Sequence, residues 1–224
     1  LAGQKAREGA AAVLHILHAA GGGTARAVAE QIAKGQANER NVVLMIDAQP
    51  PGFAASILLP AGDQTQAFKL RFADLDALAP VLTQLNIHRA VVHQPLGLMS
   101  HLEALLSRLS LPHEVYVHDY TLLCPRSSFV TTSGRYCQEP DAAGCLTCLK
   151  QNPRGPAAEI GPWRDAGSAI LRGATQVLCS GEDSARRVLR YVPEACTVVA
   201  PLQEMQRQAP YNPRLNAGER LRVA

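Results

Sequence analysis

Aromatic residues and clusters of positive charge are both scarce in this chain. Phe, Trp and Tyr make up 4% of the 224 residues, which leaves few rings for stacking on unpaired bases. The net charge is only +3, and no run of Lys or Arg forms the clustered cationic surface that follows a phosphate backbone. We therefore expect no nucleic-acid partner.

Long apolar runs are missing as well. None approaches the roughly 20 residues that a membrane-spanning helix needs. Residues 1–23 contain one short apolar stretch, lack a small-residue cleavage site and end in a glycine turn, so we predict no signal peptide and a cytoplasmic location. In a reducing cytoplasm, a cluster of cysteines binds a metal more often than it forms disulfides.

Segments typical of strands alternate with segments typical of helices along most of the chain. The predicted strands are 12–19, 41–47, 53–60, 66–72, 89–94, 113–119, 175–180 and 196–201. The predicted helices are 24–35, 74–86, 98–110, 163–174 and 182–192. We expect Thr24 to cap the first helix, Pro80 to kink or break the second, and strands 53–60 and 66–72 to pair as a hairpin.

This alternation predicts an α/β fold, with a Rossmann-like, mostly parallel sheet and helices on both faces. Residues 1–204 are expected to form one domain, which carries a long Cys-rich loop insertion over 118–162. Residues 205–219 are polar and Pro-rich, which is typical of a linker. Residues 220–224 resemble the opening of another strand, so we expect a second domain to begin there.

Distinctive residues follow three of the predicted strands, and the carboxyl ends of parallel strands share one edge of a sheet. Gly21, Gly22 and Gly23 follow the first strand. Such a run lets backbone amides approach an anionic or hydroxylated ligand at a helix N-terminus, or it forms a tight turn and nothing more. GGGTAR matches neither the dinucleotide-binding nor the P-loop signature.

Histidines mark the other two strand ends. His93 either lines a pocket or has a structural role. His118 is followed by Asp119, and an adjacent acid can orient an imidazole or keep it charged, although Asp119 can instead cap the loop that follows. His15 and His18 are interpreted as satisfied histidines of the core or of a strand end.

Four cysteines lie in the turn-rich segment after the predicted strand 113–119, in the pattern Cys124-x12-Cys137-x7-Cys145-x2-Cys148. A C-x-x-C pair is the usual knuckle of a structural zinc site, and two further thiolates complete a closed tetrahedral shell. Such a site would brace the loop and would not catalyse. Two disulfides, or a redox pair formed by Cys145 and Cys148, are the alternatives.

With these residues in view, the chain resembles the N-terminal half of a GT-B-type glycosyltransferase of the retaining group often called family four. The resemblance covers residues 13–223. It rests on HAAGGGTARAVAEQIA, HRAVVHQPLG, VYVHDYTLLCPR with the cysteine pattern, and WRDAGSAILRGATQVLCSGEDSARRVLRYVP. The HDY-x3-CPR stretch resembles a subset of these enzymes that acts on bacterial surface polysaccharides.

The resemblance implies two Rossmann-like domains, of which the N-terminal one holds the acceptor and the C-terminal one holds the nucleotide sugar. The turn from Gly21 to Thr24 would face the donor diphosphate. His118 and Asp119 would lie near the transferred sugar as the catalytic pair. His93 and Arg126 would belong to the surface that binds substrate and diphosphate.

The implied reaction is transfer of a sugar from a nucleotide-sugar donor to a saccharide or lipid-linked acceptor, with retained anomeric configuration. No catalytic metal is implied, and any zinc would be structural. A lipid-linked acceptor would imply peripheral association with the inner face of the membrane. The chain by itself is expected to be inactive, because the donor domain would be missing.

Two other functions are compatible with the residues. A nucleotide-sugar epimerase or dehydrogenase would need GxGxxG after the first strand, and this chain has GGGTAR there, although Asp47 does end the second strand. The second is a non-catalytic, zinc-braced module that binds a saccharide or a protein.

Overall fold

The computed structural model describes residues 11–34, 39–49, 52–61, 64–72, 77–96, 98–99, 101–151 and 159–200. The predicted linker at 205–219 and the predicted strand restart at 220–224 lie outside the described residues. No helix within these ranges is both long enough and apolar enough to cross a bilayer.

The described residues form one sheet of eight strands in the order β4-β3-β2-β1-β5-β6-β7-β8. The strands are β1 Ala12–His18, β2 Arg40–Gln49, β3 Gly52–Ala61, β4 Gln64–Phe72, β5 Ile87–Gln94, β6 His113–Val117, β7 Gln176–Cys179 and β8 Thr197–Val199. The neighbouring pairs β2–β1, β1–β5, β5–β6, β6–β7 and β7–β8 are parallel. The pairs β2–β3 and β3–β4 are antiparallel. The predicted α/β class and the mostly parallel sheet are confirmed.

Helices connect most of the parallel strands. They are α1 Gly22–Lys34, α2 Leu78–Thr83, α3 Leu102–Leu109, α4 Ala142–Gln151, α5 Ile160–Gly173 and α6 Glu182–Tyr191. The apolar face of α3 shows why these segments are helical, because Leu102, Leu105 and Leu106 follow the helical period and all three are buried.

The apolar core lies on both faces of the sheet, because successive side chains of a buried strand point to opposite faces. On β1, Leu14 and Ile16 belong to the large cluster that also contains the buried leucines of α3. Leu17 belongs instead to a smaller cluster with Val28 of α1. Helices therefore cover both faces, as predicted.

The direction in which the chain crosses the sheet reverses between β1 and β5. From β1 the chain proceeds through α1 to β2 and on to the β4 edge, and from β5 it proceeds to β6, β7 and β8 on the other side. Right-handed crossovers then place α1 on the face opposite α3. In open α/β sheets, ligands bind at this switch point, outside the carboxyl ends of the strands. The turn after β1 and the last residues of β5 flank it.

Several predicted element boundaries were wrong. Helix α1 begins at Gly22, so Thr24 lies in its first turn and does not precede it. The second predicted helix is reduced to α2, in which Pro80 occupies the third position, where a proline ring is tolerated because the N–H that it lacks would have no partner within the helix. Gly35, the last residue of the predicted helix 24–35, lies outside the described residues.

The cysteine-bearing segment is not entirely a loop. After the irregular stretch from His118 to Asp141, residues Ala142–Gln151 form helix α4. This helix was not predicted, since its sequence AAGCLTCLKQ mixes good helix formers with Gly, Thr and Cys. The predicted hairpin between β3 and β4 is confirmed, with Ala61 paired to Gln64 at its end.

Candidate functional site

Three histidines from three neighbouring strands form one hydrogen-bonded row, which we call the imidazole row. His15 Nδ1 lies 3.1 Å from His93 Nε2, and His93 Nδ1 lies 2.9 Å from His118 Nε2. At the other end, the Asn41 carboxamide oxygen lies 3.0 Å from His15 Nε2. The row thus runs across β2, β1 and β5 to the residue just beyond the end of β6.

Ring stacking supports the same arrangement. The centroid of the His93 ring lies 5.4 Å from that of His15 and 5.2 Å from that of His118. The ring of Tyr116 lies 5.3 Å from that of His93, with an interplanar angle of 26°. His15 and His93 are 3% and 4% exposed, whereas His118 is half-buried, so His118 is the histidine of the row that a ligand can reach.

Burial keeps the imidazole row neutral. It lowers the pKa of His15, and it lowers the pKa of His93 well below the usual histidine value, where the neighbouring His15 and His118 act in the same direction. The pKa of His118 is also lowered by burial, against a smaller raising effect of the Asp119 charge. At neutral pH each ring therefore has one protonated and one unprotonated nitrogen.

Asp119 holds the loop after β6. Its carboxylate accepts hydrogen bonds from the Thr121 backbone N–H at 2.8 Å and from the side-chain amide of Gln94. Within the described part of the chain it makes no hydrogen bond to His118, whose ring is oriented by His93 instead. These contacts agree with the interpretation of Asp119 as a loop cap, while a catalytic role for the pair remains a prediction.

Gln94, the last residue of β5, carries an unused acceptor. It is 8% exposed, and its Nε2 donates to Asp119 and, at 3.3 Å, to the Thr121 hydroxyl. Its carbonyl oxygen Oε1 is buried and has no hydrogen-bond partner among the described residues. A buried acceptor without a partner costs free energy, which a ligand that donates a hydrogen bond would recover.

The glycine turn after β1 is open. Gly21 and Gly22 have φ of +74° and +78°, a conformation that residues with a Cβ adopt only at a cost. A Cβ at Gly21, Gly22 or Gly23 would meet nothing within 4 Å. Backbone conformation therefore explains the first two glycines, and the space beside the turn is free. The first turn of α1 contains no acidic residue, which leaves its N-terminal dipole free to attract an anion.

The chain was compared with profiles of known protein families, with curated proteins and with solved structures. None of the three comparisons finds a significant match.

The four predicted metal-ligand cysteines line one small cavity of about 20 Å³. All four are free thiols in the structure. Burial raises the pKa of Cys124, and the neighbouring Cys137, Cys145 and Cys148 add to that rise, which agrees with four sulfurs facing a common space. Within the described residues, however, no group of three or more potential ligands already has a metal-binding arrangement. Zinc therefore remains a prediction.

Two arginines line the same cavity. Arg126 Nε donates to the Val130 carbonyl oxygen at 2.7 Å, whereas its Nη1 is buried without a hydrogen-bond partner among the described residues. Arg164 Nη2 lies 3.4 Å from the Cys145 sulfur. Arg126, predicted to bind the diphosphate, thus lies among the cysteines, and its role toward a diphosphate remains a prediction.

Helix α5 holds the loop that follows His118 through three nearby residues. The Trp163 indole N–H donates to the Thr121 carbonyl oxygen at 2.6 Å, and Arg164 Nε donates to the Leu123 carbonyl oxygen at 3.3 Å. Gly167 lets the backbone at Leu122 approach the helix. The loop with Asp119 is therefore fixed by a helix more than 40 residues further along the chain.

An ion-pair cluster fixes the far side of the segment. The Glu139 side chain is 2% exposed and pairs with Arg187, and its second oxygen lies 3.4 Å from Arg190 Nη1. The Tyr136 hydroxyl donates to the same carboxylate at 2.5 Å. Arg187 also pairs with Asp183 one turn earlier on α6.

Sequence reasoning missed Asn41, Gln94 and the participation of His15. A usable signal was present, since His15 interrupts the apolar run AVLHIL, and Asn41 and Gln94 stand at the two ends of apolar runs. What could not be read from the sequence is that β5 lies between β1 and β6, which brings the three histidines into line.

Proposed function

We propose that this chain is the acceptor-side half of a retaining GT-B-type glycosyltransferase that uses a nucleotide sugar. One observation carries the proposal. The open glycine turn after β1 flanks the switch point of the sheet, and the neutral imidazole row crosses that point and ends at His118. An anion-attracting turn beside a row of uncharged polar groups suits a substrate that joins a diphosphate to a sugar.

In the proposed reaction, the bond between the anomeric carbon of the sugar and the diphosphate oxygen breaks. The acceptor hydroxyl oxygen bonds to the same carbon, and its proton passes to the departing diphosphate. The amides at the N-terminus of α1, from Gly22 to Thr24, would stabilise the negative charge on the leaving group. His118 would contact the sugar, and Gln94 and Asp119 would fix the loop that holds it.

The proposal includes a structural zinc ion held by Cys124, Cys137, Cys145 and Cys148. The donor set suits zinc, and a site with four thiolates carries a net negative charge that nearby cations offset. The unpartnered Nη1 of Arg126 and the Nη2 of Arg164 lie where they can supply that charge. Zinc would brace the segment and would take no part in the transfer.

The proposed partners follow from the reaction. The nucleotide part of the donor would bind mainly to a second domain, and the acceptor would be a saccharide or a lipid-linked saccharide in the cytoplasm or at the inner face of the membrane. No catalytic metal is required in this scheme, because helix-terminal amides would stabilise the diphosphate.

The test uses the longest protein that contains this chain, incubated with a panel of nucleoside-diphosphate sugars and saccharide acceptors. Release of the nucleoside diphosphate and formation of a new glycoside are measured for the wild type, His118→Gln and His88→Gln. His88 is an exposed histidine of β5, which makes it a matched control.

We expect turnover with at least one donor, a loss of about 10²-fold or more in His118→Gln, and no loss in His88→Gln. The expected loss corresponds to about 2.7 kcal/mol of transition-state stabilisation. Binding without turnover by any donor would favour the non-catalytic binding module instead. Full activity of His118→Gln would exclude the assigned role of this histidine.

A further inference from the structure

The direction of the hydrogen bonds in the imidazole row is fixed from one end. Three neutral imidazoles in line can be ordered in two ways, with either every Nε2 or every Nδ1 carrying the proton. The tautomer of the first ring determines the tautomers of the other two, because each hydrogen bond between rings needs one N–H and one lone pair.

Asn41 selects one of these two orders. In this orientation of the carboxamide, its oxygen and not its NH2 group faces His15 Nε2 at 3.0 Å. Because an oxygen can only accept, His15 is then protonated at Nε2. His15 Nδ1 is then an acceptor for the Nε2–H of His93, and His93 Nδ1 is an acceptor for the Nε2–H of His118. The last free position of the row is His118 Nδ1, which carries a lone pair.

This last nitrogen has no hydrogen-bond partner within the described residues, and the His118 side chain is half-buried at the strand end. The charged groups near the row are Arg89 and Glu39 beside His15 and Asp119 beside His118. Asp119 is engaged by Thr121 and Gln94, so it does not compete for His118 Nδ1.

We propose that Asn41 and His15 are positioning residues, which act through His93 to hold His118 in the Nε2–H tautomer and leave its Nδ1 as an acceptor for a ligand hydroxyl. A neutral acceptor suits a hydroxyl group and does not suit a phosphate oxygen, because the latter offers no hydrogen at neutral pH. The unpartnered Gln94 Oε1 supplies a second acceptor next to the same loop.

The ligand part of this inference rests on the proposed function, since it assigns the hydroxyl group to a sugar. The tautomer part is independent of it. If no sugar transfer were found, the order of protons in the row would still be measurable, and the failure of one proposal would be distinguishable from the failure of the other.

The tautomers are measured on this chain with ¹⁵N-labelled histidine, by long-range correlation between ring protons and ring nitrogens, above the usual histidine pKa of about 6.5. We expect the three rings of the row to carry their proton on Nε2. A protonated Nδ1 at His118 in the wild type would overturn the inference without any variant.

The Asn41→Leu variant removes the selecting oxygen from a half-buried position of β2. We expect the order to be lost, with both tautomers populated at His118, while His88→Gln leaves the row unchanged. A folded Asn41→Leu protein in which His118 keeps the pure Nε2–H form would show that Asn41 does not select the tautomer, which would overturn its assigned role.

The ligand is tested with two kinds of probe on the same labelled protein, a set of methyl hexosides and inorganic phosphate. We expect at least one hexoside to shift the His118 Nδ1 signal in a saturable way, and phosphate to shift the amides of the glycine turn while His118 Nδ1 stays unprotonated. Protonation of His118 by phosphate, or the absence of any hexoside shift, would overturn the hydroxyl assignment.

Discussion

Gly167 of helix α5 lies so close to Leu122 that a Cβ at this position would come within 1.8 Å of the Leu122 carbonyl oxygen. The contact is with backbone, so no side-chain rotation can relieve it. Leu122 belongs to the loop that follows His118 and Asp119, so Gly167 is the position of tightest backbone contact between the helix and this loop.

Replacing Gly167 with alanine should therefore destabilise the chain. The added methyl group overpacks a buried contact, and we expect a loss of about 1–3 kcal/mol in the free energy of unfolding. Gly161→Ala is the control on the same helix, because its Cβ would meet nothing within 4 Å. We expect this control to be neutral or to gain up to about 1 kcal/mol from helix propensity. Urea unfolding of both variants checks the contrast, and equal effects would contradict it.

A second pair of glycines tests the turn after β1. Gly22→Ala must place a Cβ at a φ of +78°, which should cost roughly 1–2 kcal/mol. Gly23→Ala has no positive φ and meets no atom within 4 Å, so it should be tolerated. The measurement is again the free energy of unfolding. A fully stable Gly22→Ala variant would mean that the turn adopts a different backbone conformation.

Stability should depend on pH through the imidazole row. Since burial lowers the pKa of His15, His93 and His118 below the usual histidine value of about 6.5, the unfolded chain binds protons more readily than the folded one. The contribution of these histidines to the free energy of unfolding is then complete above about pH 6.5, and it is lost as the pH falls toward their lowered pKa values. Each imidazole that takes up a proton on unfolding adds a slope of about 1.4 kcal/mol per pH unit.

The His93→Gln variant should reduce that slope by the contribution of one proton, about 1.4 kcal/mol per pH unit, because the pKa of His93 is the most strongly lowered of the three. Arg89, Glu39, Asp119 and the Tyr116 ring also face the row, and they are unchanged in this variant. Urea unfolding at a series of pH values from about 8 to 5 spans the usual histidine pKa and gives the slopes. A wild type whose stability does not fall below pH 6.5 would contradict the lowered pKa values.

We predict that the four cysteines lining the small cavity bind one zinc ion. We expect native mass spectrometry of the purified chain to show one zinc, and denaturation without reductant to return the mass of the fully reduced chain. Free zinc at a thousand times its dissociation constant should add about 4 kcal/mol to the stability. Cys148→Ser should lose the metal, whereas Cys196→Ser, at an exposed cysteine outside the cavity, should keep it. A denatured mass short by two hydrogens per bridge would indicate disulfides.

The sequence predicts the fold better than it predicts the site, and the reason is physical. Strands such as β1 and β2 and helices such as α3 are specified by local apolar patterns, so their existence could be read directly. Helix α4 was missed because Gly, Thr and Cys interrupt its helix formers, and because its single buried residue, Leu149, leaves no apolar face to mark it. The approach of Gly167 to Leu122 depends on tertiary contacts that no local pattern encodes.

In the site, too, some residues could be found from local sequence patterns and others depend on tertiary contacts. The glycine turn and the His118–Asp119 pair could be found as strand-end residues. His15 was interpreted as a satisfied core histidine, which is correct as far as its hydrogen bonds go. Its link to His118 depends on strand order, and so does the environment of Asp119, whose partner Gln94 lies 25 residues earlier in the chain.

The NMR signals of the imidazole row can also show when the central strands come together during folding. Its members are separated by 78 residues between His15 and His93 and by 25 between His93 and His118. Contacts of such long sequence separation form late, because the intervening chain must first lose its entropy. The ring signals should therefore acquire native positions only when the central strands have docked, after the local helices are already present.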